Sequence, residues 1–190
     1  PNGFNPVRHR NGGTVRYTGG YTIDSAQASD FFAGDVVILD GTPSGDGNNI
    51  DVYAAGGGDI IGVFAGCQYT AANGDVVWQN QFASGTATKG GVPVEAFVYV
   101  DPNIVYSVQF NGTLVVANVG QFADAAVGAG GNTANGVSGF LLDSTVGASG
   151  QFQILGLAGA PDGIYTADIS AANPRVEVIA AEHVYQATNT

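Results

Sequence analysis

Residues 92–116 read VPVEAFVYVDPNIVYSVQFNGTLVV, and the fold class follows from this stretch. Val92, Val94, Ala96, Val98 and Val100 alternate with Pro93, Glu95, Phe97 and Tyr99, the period of two of a half-buried strand. Asp101-Pro102-Asn103 then turns the chain into the apolar run Ile104–Phe110, and Asn111-Gly112 turns it again into Thr113–Val116. Three strands joined by short turns predict an antiparallel meander.

The same grammar extends in both directions. Upstream, Val36–Leu39 lies between Gly34-Asp35 and Asp40-Gly41, and Ile50–Ala54 and Ile60–Tyr69 are separated by the glycines 56–58. Asn73-Gly74 joins Ile60–Tyr69 to Val76–Gln79 and predicts a type I′ hairpin, because both residues accept positive φ. Downstream, Ser138–Asp143, Gln151–Ala158 and Val176–Tyr185 read as further strands. Phe152 and Ile154 face one side there, with Gln151 and Gln153 on the other. Gln121–Val127 reads as one or two helical turns, and residues 128–136 as a glycine-rich loop. Asp162-Gly163 and Asn173-Pro174 mark the connection to the last strand. Turn signals every ten or so residues predict an all-β antiparallel sandwich or barrel.

Charge is sparse and uneven. Charged residues make up 11% of the 190, far below the usual ~25%. Arg8, Arg10 and Arg16 precede every acid, so the first sixteen residues carry +3. The remainder sets two basic residues against sixteen acids, or −14, for a net −11. This predicts an extended N-terminal arm over residues 1–22 that lies on a negatively charged surface and orders there. Residues 23–190 form the β body, as one domain or two lobes, and that body folds without residues 1–16. So little charge on a folded protein also favours self-association or docking on a larger assembly. An acidic body excludes general nucleic-acid binding, which needs a basic footprint.

Chemistry is thinly represented. The single cysteine, Cys67, excludes an intramolecular disulfide and lies in an apolar run, as an inert buried thiol does. His9 and His183 have no second histidine or cysteine at metal-ligand spacing, and His183 reads as a strand histidine. No nucleophile elbow or phosphate loop is present. Asp46, Asn48 and Asp51 offer oxygens for calcium but lack the acidic twelfth ligand, so a solvated hairpin loop is the plainer reading. Glu95, Glu177 and Glu182 would have to pair to act as glycosidase carboxylates. Trp78 with Tyr69 and Phe82 makes either a sugar-stacking platform or part of the core. No enzyme, cofactor or metal is expected. No signal-peptide pattern and no 18-residue apolar stretch occurs, so neither secretion nor a membrane span is expected.

Several segments together resemble a family. Phe4-Asn5-Pro6-Val7-Arg8-His9 followed by Asn11-Gly12 is similar to the "F-x-P-V-R-H-x-N-G" opening of tailed-bacteriophage capsid cement (decoration) proteins. Phe32-Ala33-Gly34-Asp35-Val36-Val37 resembles their "F-x-G-D-P-V" strand entry, with Val36 in place of proline. Ile61–Gly66 resembles their "G-V-x-x-G" strand. Val98–Pro102 with Tyr106–Gln109 resembles their "V-x-D-P-x-x-x-F-E-V-Q" stretch. Val119-Gly120, Asn132–Leu142 and Ile154–Leu157 complete the order, and the tail from Val176 has no counterpart.

The resemblance implies a non-enzymatic virion protein, commonly a homotrimer, on the outer face of the capsid. There it clamps adjacent major capsid proteins against internal DNA pressure, with no membrane or nucleic-acid partner. Phe4, Pro6, Val7, Arg8, His9, Arg10 and Arg16 are then the capsid-binding residues, with Phe4 and Val7 as apolar anchors. A head fibre or tail adhesin that binds a host-surface glycan is the alternative.

Overall fold

Short apolar runs closed by glycine, asparagine and aspartate become strands throughout this protein. The structure, a computed structural model, describes residues 2–24, 26–40, 47–56, 58–128, 130–159 and 171–186. Gly41, Asp46 and the Asp162-Gly163 turn lie outside these residues. In chain order the first strands are β1 (Asn5–His9), β2 (Thr18–Ile23), β3 (Phe31–Phe32), β4 (Val36–Leu39), β5 (Ile50–Val52), β6 (Gly62–Thr70) and β7 (Val76–Gln79). They continue as β8 (Gln81–Phe82), β9 (Val94–Tyr99), β10 (Ile104–Gln109), β11 (Phe122–Ala126), β12 (Leu141–Gly147), β13 (Phe152–Leu157) and β14 (Arg175–Ala180). The protein is all-β, and its paired strands run antiparallel.

One sheet has the order β1-β10-β14-β13-β11-β12, and the other β2-β9-β6-β4-β5, with β7 also on β6. The second sheet curls until its edges meet: Thr22 bridges Asn49, and the Thr22 N–H donates to the Asn48 carbonyl at 3.0 Å. Its inner face buries Ile23, Val37, Phe64, Cys67, Val94, Ala96 and Val98, closed by Phe31 and Phe82 of the β3–β8 pair. A second core lies against the first sheet, where Phe4, Tyr106, Phe152, Ile154, Val176 and Val178 meet Val36 and Val63. Strand alternation explains the sharing: Val36 and Val63 point to one core, and their neighbours Val37 and Phe64 to the other.

A hairpin does form at Asn73-Gly74, pairing Thr70 with Val76 and Tyr69 with Val77, but not through the expected type I′ turn: Gly74 takes positive φ (+97°) and Asn73 does not. The Gly74 N–H donates to the Ala71 carbonyl and the Ala71 N–H to the Asp75 carbonyl, both at 2.8 Å, so the loop has three residues with glycine in the left-handed position. The expected meander does not form. β9 belongs to the curled sheet and β10 to the other, so the Asp101–Asn103 turn carries the chain from one sheet to the next. Alternation specifies which side chains share a face, not which sheet a strand joins. The third member is also replaced. Thr113 makes only an isolated bridge to Ala172, and residues 116–118 form a 3-10 turn. Asn118 captures that turn, its side-chain oxygen accepting from the Val115 N–H at 2.8 Å.

Gln121–Val127, expected to be helical, contains β11 instead. Ala123 and Ala125 point inward there, between β13 and β12, so packing overrides alanine's helix preference. Gln151 likewise turns inward: its side-chain oxygen accepts from the Tyr53 hydroxyl at 3.2 Å and the Ala125 N–H at 3.3 Å.

Candidate functional site

Extended conformation in the N-terminal segment is as expected, but the segment is built into both sheets. β1 adds to the edge of the first sheet beside β10, and β2 to the curled sheet beside β9. Residues 10–17 cross between the sheets next to the Asp101–Asn103 crossing. Two contacts staple the crossings together: His9 Nε2 lies 2.9 Å from Asp101 Oδ2, and the Arg10 N–H donates to the Asn103 carbonyl at 2.8 Å. Val15 packs against the inter-sheet core and pins the middle of the crossing. The segment is therefore not a free strap.

The seven residues expected to bind a shell separate into distinct environments. Phe4 is fully buried, stacked 4.4 Å from Phe152 and edge-on to Tyr106 at 6.4 Å. It is a core residue and cannot also anchor on an external surface. Pro6 is half-buried opposite Tyr106. Val7 occupies the register shift between Pro6 and Arg8 and is 48% exposed. Such a bulge re-aims its side chain outward. Arg8, opposite Val105 of β10, reaches across that strand to Glu177 of β14, at 2.6 Å. An exposed pair of this kind contributes about 0.2–1 kcal/mol.

His9 is largely covered. Its Nδ1 accepts from the Asn11 N–H at 3.2 Å, which leaves the proton on Nε2, facing Asp101. Burial works to raise the Asp101 pKa. Hydrogen bonds from the Asn103 backbone, from His9 and from the Asn103 side chain outweigh it and hold the carboxyl below its ordinary value. Arg10 and Arg16 are exposed, and among the described residues neither side chain forms an ion pair. Of the +3 on this segment, one charge is balanced within the fold and two face solvent.

Glu95 and Glu177 lie on strands of different sheets, and the Glu177 carboxylate is taken by Arg8. His183 is buried just beyond β14, with Nδ1 accepting from the Tyr185 N–H at 3.1 Å and Nε2 unpartnered. Burial lowers its pKa and keeps the ring neutral. Cys67 is buried, and desolvation pushes its thiol up to about 12, far from a thiolate at neutral pH. Of the three calcium-ligand candidates, Asp51 Oδ1 accepts from the Val52 N–H at 2.6 Å. Among the described residues, no three His, Cys, Asp or Glu side chains gather as a metal site would require.

An aromatic face escaped the sequence reading. Tyr69 and Phe82 do meet, edge-on at 5.7 Å, and Phe82 is core. Trp78 points the other way, 59% exposed, and stacks on Phe97 with ring centres 4.7 Å apart and planes within 13°. Tyr17, 50% exposed, meets Phe97 edge-on at 5.4 Å. The signal was present in Phe97 and Tyr99, which share the outward face of β9 with Glu95. On that outer face of the curled sheet, the first sheet covers Val63 and Tyr99 and leaves Trp78 bare. No family model, curated protein or solved structure matches the chain.

Proposed function

We propose that this chain is a capsid cement subunit of a tailed bacteriophage, attached to the outer face of the shell and acting without catalysis. The ordered set of motifs from Phe4 to Leu157 supports the reading. The observation that carries it is the flank formed by residues 7–16. Val7, Arg10 and Arg16 stand exposed there, and neither arginine has an acidic partner among the described residues, on a chain of net charge −11. Two uncompensated cations and an apolar side chain suit a negatively charged surface of major capsid protein. Because this flank is already ordered, attachment does not bear the ordering cost of a free arm, about 1–2 kcal/mol per residue.

Removing residues 1–16 would take away a core phenylalanine and an edge strand, so truncation cannot separate folding from attachment. Point substitutions can. Arg10→Glu with Arg16→Glu leaves the far-ultraviolet spectrum unchanged and abolishes co-sedimentation with preformed shells. Wild-type attachment weakens as salt rises, because exposed charges are screened. Unchanged co-sedimentation of the double variant at low salt would end the reading. Self-association as a homotrimer, which multiplies weak contacts through effective concentration, belongs to the same proposal.

A further inference from the structure

The aromatic face borders a pocket. Trp78 of β7 lies across β6 and meets Phe97 of β9 over Gly66, which pairs with Phe97 and has no side chain to intervene. Gly66 is held at φ +150°, and a Cβ there would sit 2.8 Å from the Gln79 carbonyl oxygen. The bare backbone therefore serves both the close approach of β7 and the opening above it. A pocket of about 280 Å³ results, lined by Tyr17, Gly66, Trp78, Gln79, Asn80 and Phe97. That lies just below the range of about 300–1,000 Å³ typical of small-molecule sites, a scale suited to one or two sugar rings.

Its chemistry narrows the occupant. One face of the Trp78 indole rests on Phe97, and the ring remains 59% exposed. Tyr17 stands nearby, edge-on to the same phenylalanine. Flat aromatic surfaces of this kind receive the C–H face of a pyranose, while amides bond its hydroxyls. One amide is present. Asn80 is positioned by its own bond to the Asn135 carbonyl at 2.7 Å. Gln79 pairs with inward-pointing Cys67, so its side chain leaves the Trp78 face, and its backbone carbonyl is what lies beside Gly66. No charged side chain lines the pocket, in a chain of net charge −11, so it complements a neutral ligand.

We infer that the pocket between Tyr17 and Trp78 binds a neutral pyranose unit of an oligosaccharide, stacked on the indole and hydrogen-bonded through Asn80. The site lies on the curled sheet and does not depend on shell attachment.

Trp78 is the only tryptophan in the chain, so its fluorescence reads the site directly. The probes are neutral trisaccharides of glucose, galactose, mannose and N-acetylglucosamine, with the anionic trisaccharide sialyllactose for comparison. At least one neutral sugar produces a saturable emission shift, and the anionic one at equal concentration does not. By calorimetry, Trp78→Ala weakens that sugar about tenfold or more, equivalent to about 1.4 kcal/mol. Trp78→Phe retains most of the affinity. Tyr17→Ala, at an independent position, weakens it as well, so the test survives should one variant misfold. The inference is overturned if no neutral trisaccharide saturates the signal or if sialyllactose binds equally well. It is overturned too if the emission shift follows protein concentration alongside a rise in mass, because a second copy then covers the face.

Discussion

Fully buried between Phe152 and Tyr106, the Phe4 ring ties the start of the chain to the inter-sheet core. Phe4→Ala would leave a cavity at a site with little freedom to collapse, and is expected to destabilise the whole protein by about 3–5 kcal/mol. A urea midpoint unchanged by the substitution would show that the segment is not integrated. A second residue makes stability depend on pH. Asp35 is 2% exposed, and burial pushes its carboxyl up to about 6, against the opposing pull of hydrogen bonds from Ser138 and the Phe32 N–H. The folded state thus holds this proton more tightly than the unfolded chain, whose value is near 3.8. Its contribution is complete below that value and is lost as pH rises through about 6, a change on the order of 3 kcal/mol. Asp35→Asn keeps an oxygen to accept from Phe32 and removes the titration. The stability of wild type relative to this variant should therefore fall between pH 4 and 6.5; parallel curves would refute the assignment.

Among the elements, the close contact of β6 and β9 sets a limit that a pair of glycines can measure. Gly62 and Gly156 have nearly the same backbone, φ +153° and +156°, so alanine at either strains the chain equally. A Cβ at Gly62 would lie 2.1 Å from the Tyr99 carbonyl oxygen, while one at Gly156 meets nothing within 4 Å. Gly62→Ala should therefore cost about 1–3 kcal/mol more than Gly156→Ala in urea denaturation, the usual penalty of overpacking. Equal losses would place the cost in φ alone. The elements themselves were largely legible: Val36–Leu39 is β4 residue for residue, and the chain does reverse at Asn73-Gly74, although Gly74 alone supplies the positive φ. What local pattern could not carry is partnership. Nothing in VPVEAFVYV and IVYSVQ says that they join different sheets. Alanines 123, 125 and 126 look helical until flanking strands claim them. For the site, the arginines were legible as charge. That Glu177, 169 residues away, would neutralise Arg8 was not. Trp78 was noticed but paired with the wrong aromatics, because a hairpin's two faces cannot be told apart without knowing which one is covered.

At the scale of the whole molecule, two exposed arginines are a weak hold. Each solvent-facing ion pair contributes about 0–1 kcal/mol, so a single copy gains too little from them to stay on a shell. Attachment by this flank therefore requires several copies acting together, which is where the low charge of the surface matters. Val115, Val116 and Val119 stand 52%, 74% and 42% exposed around the turn after β10, an uncharged prominence suited to contact between copies. Light scattering at neutral pH is expected to give a mass of about three chains of 19.2 kDa. Val116→Asp places a charge on the most exposed of these valines and should shift the mass toward a single chain, with secondary structure unchanged. The same variant, its arginines intact, should lose co-sedimentation with shells as completely as the double arginine variant does. A trimeric mass that survives Val116→Asp moves the contact elsewhere on the surface. A single-chain mass at every concentration, with shell attachment intact, would mean that one flank suffices and that multivalency plays no part in the hold.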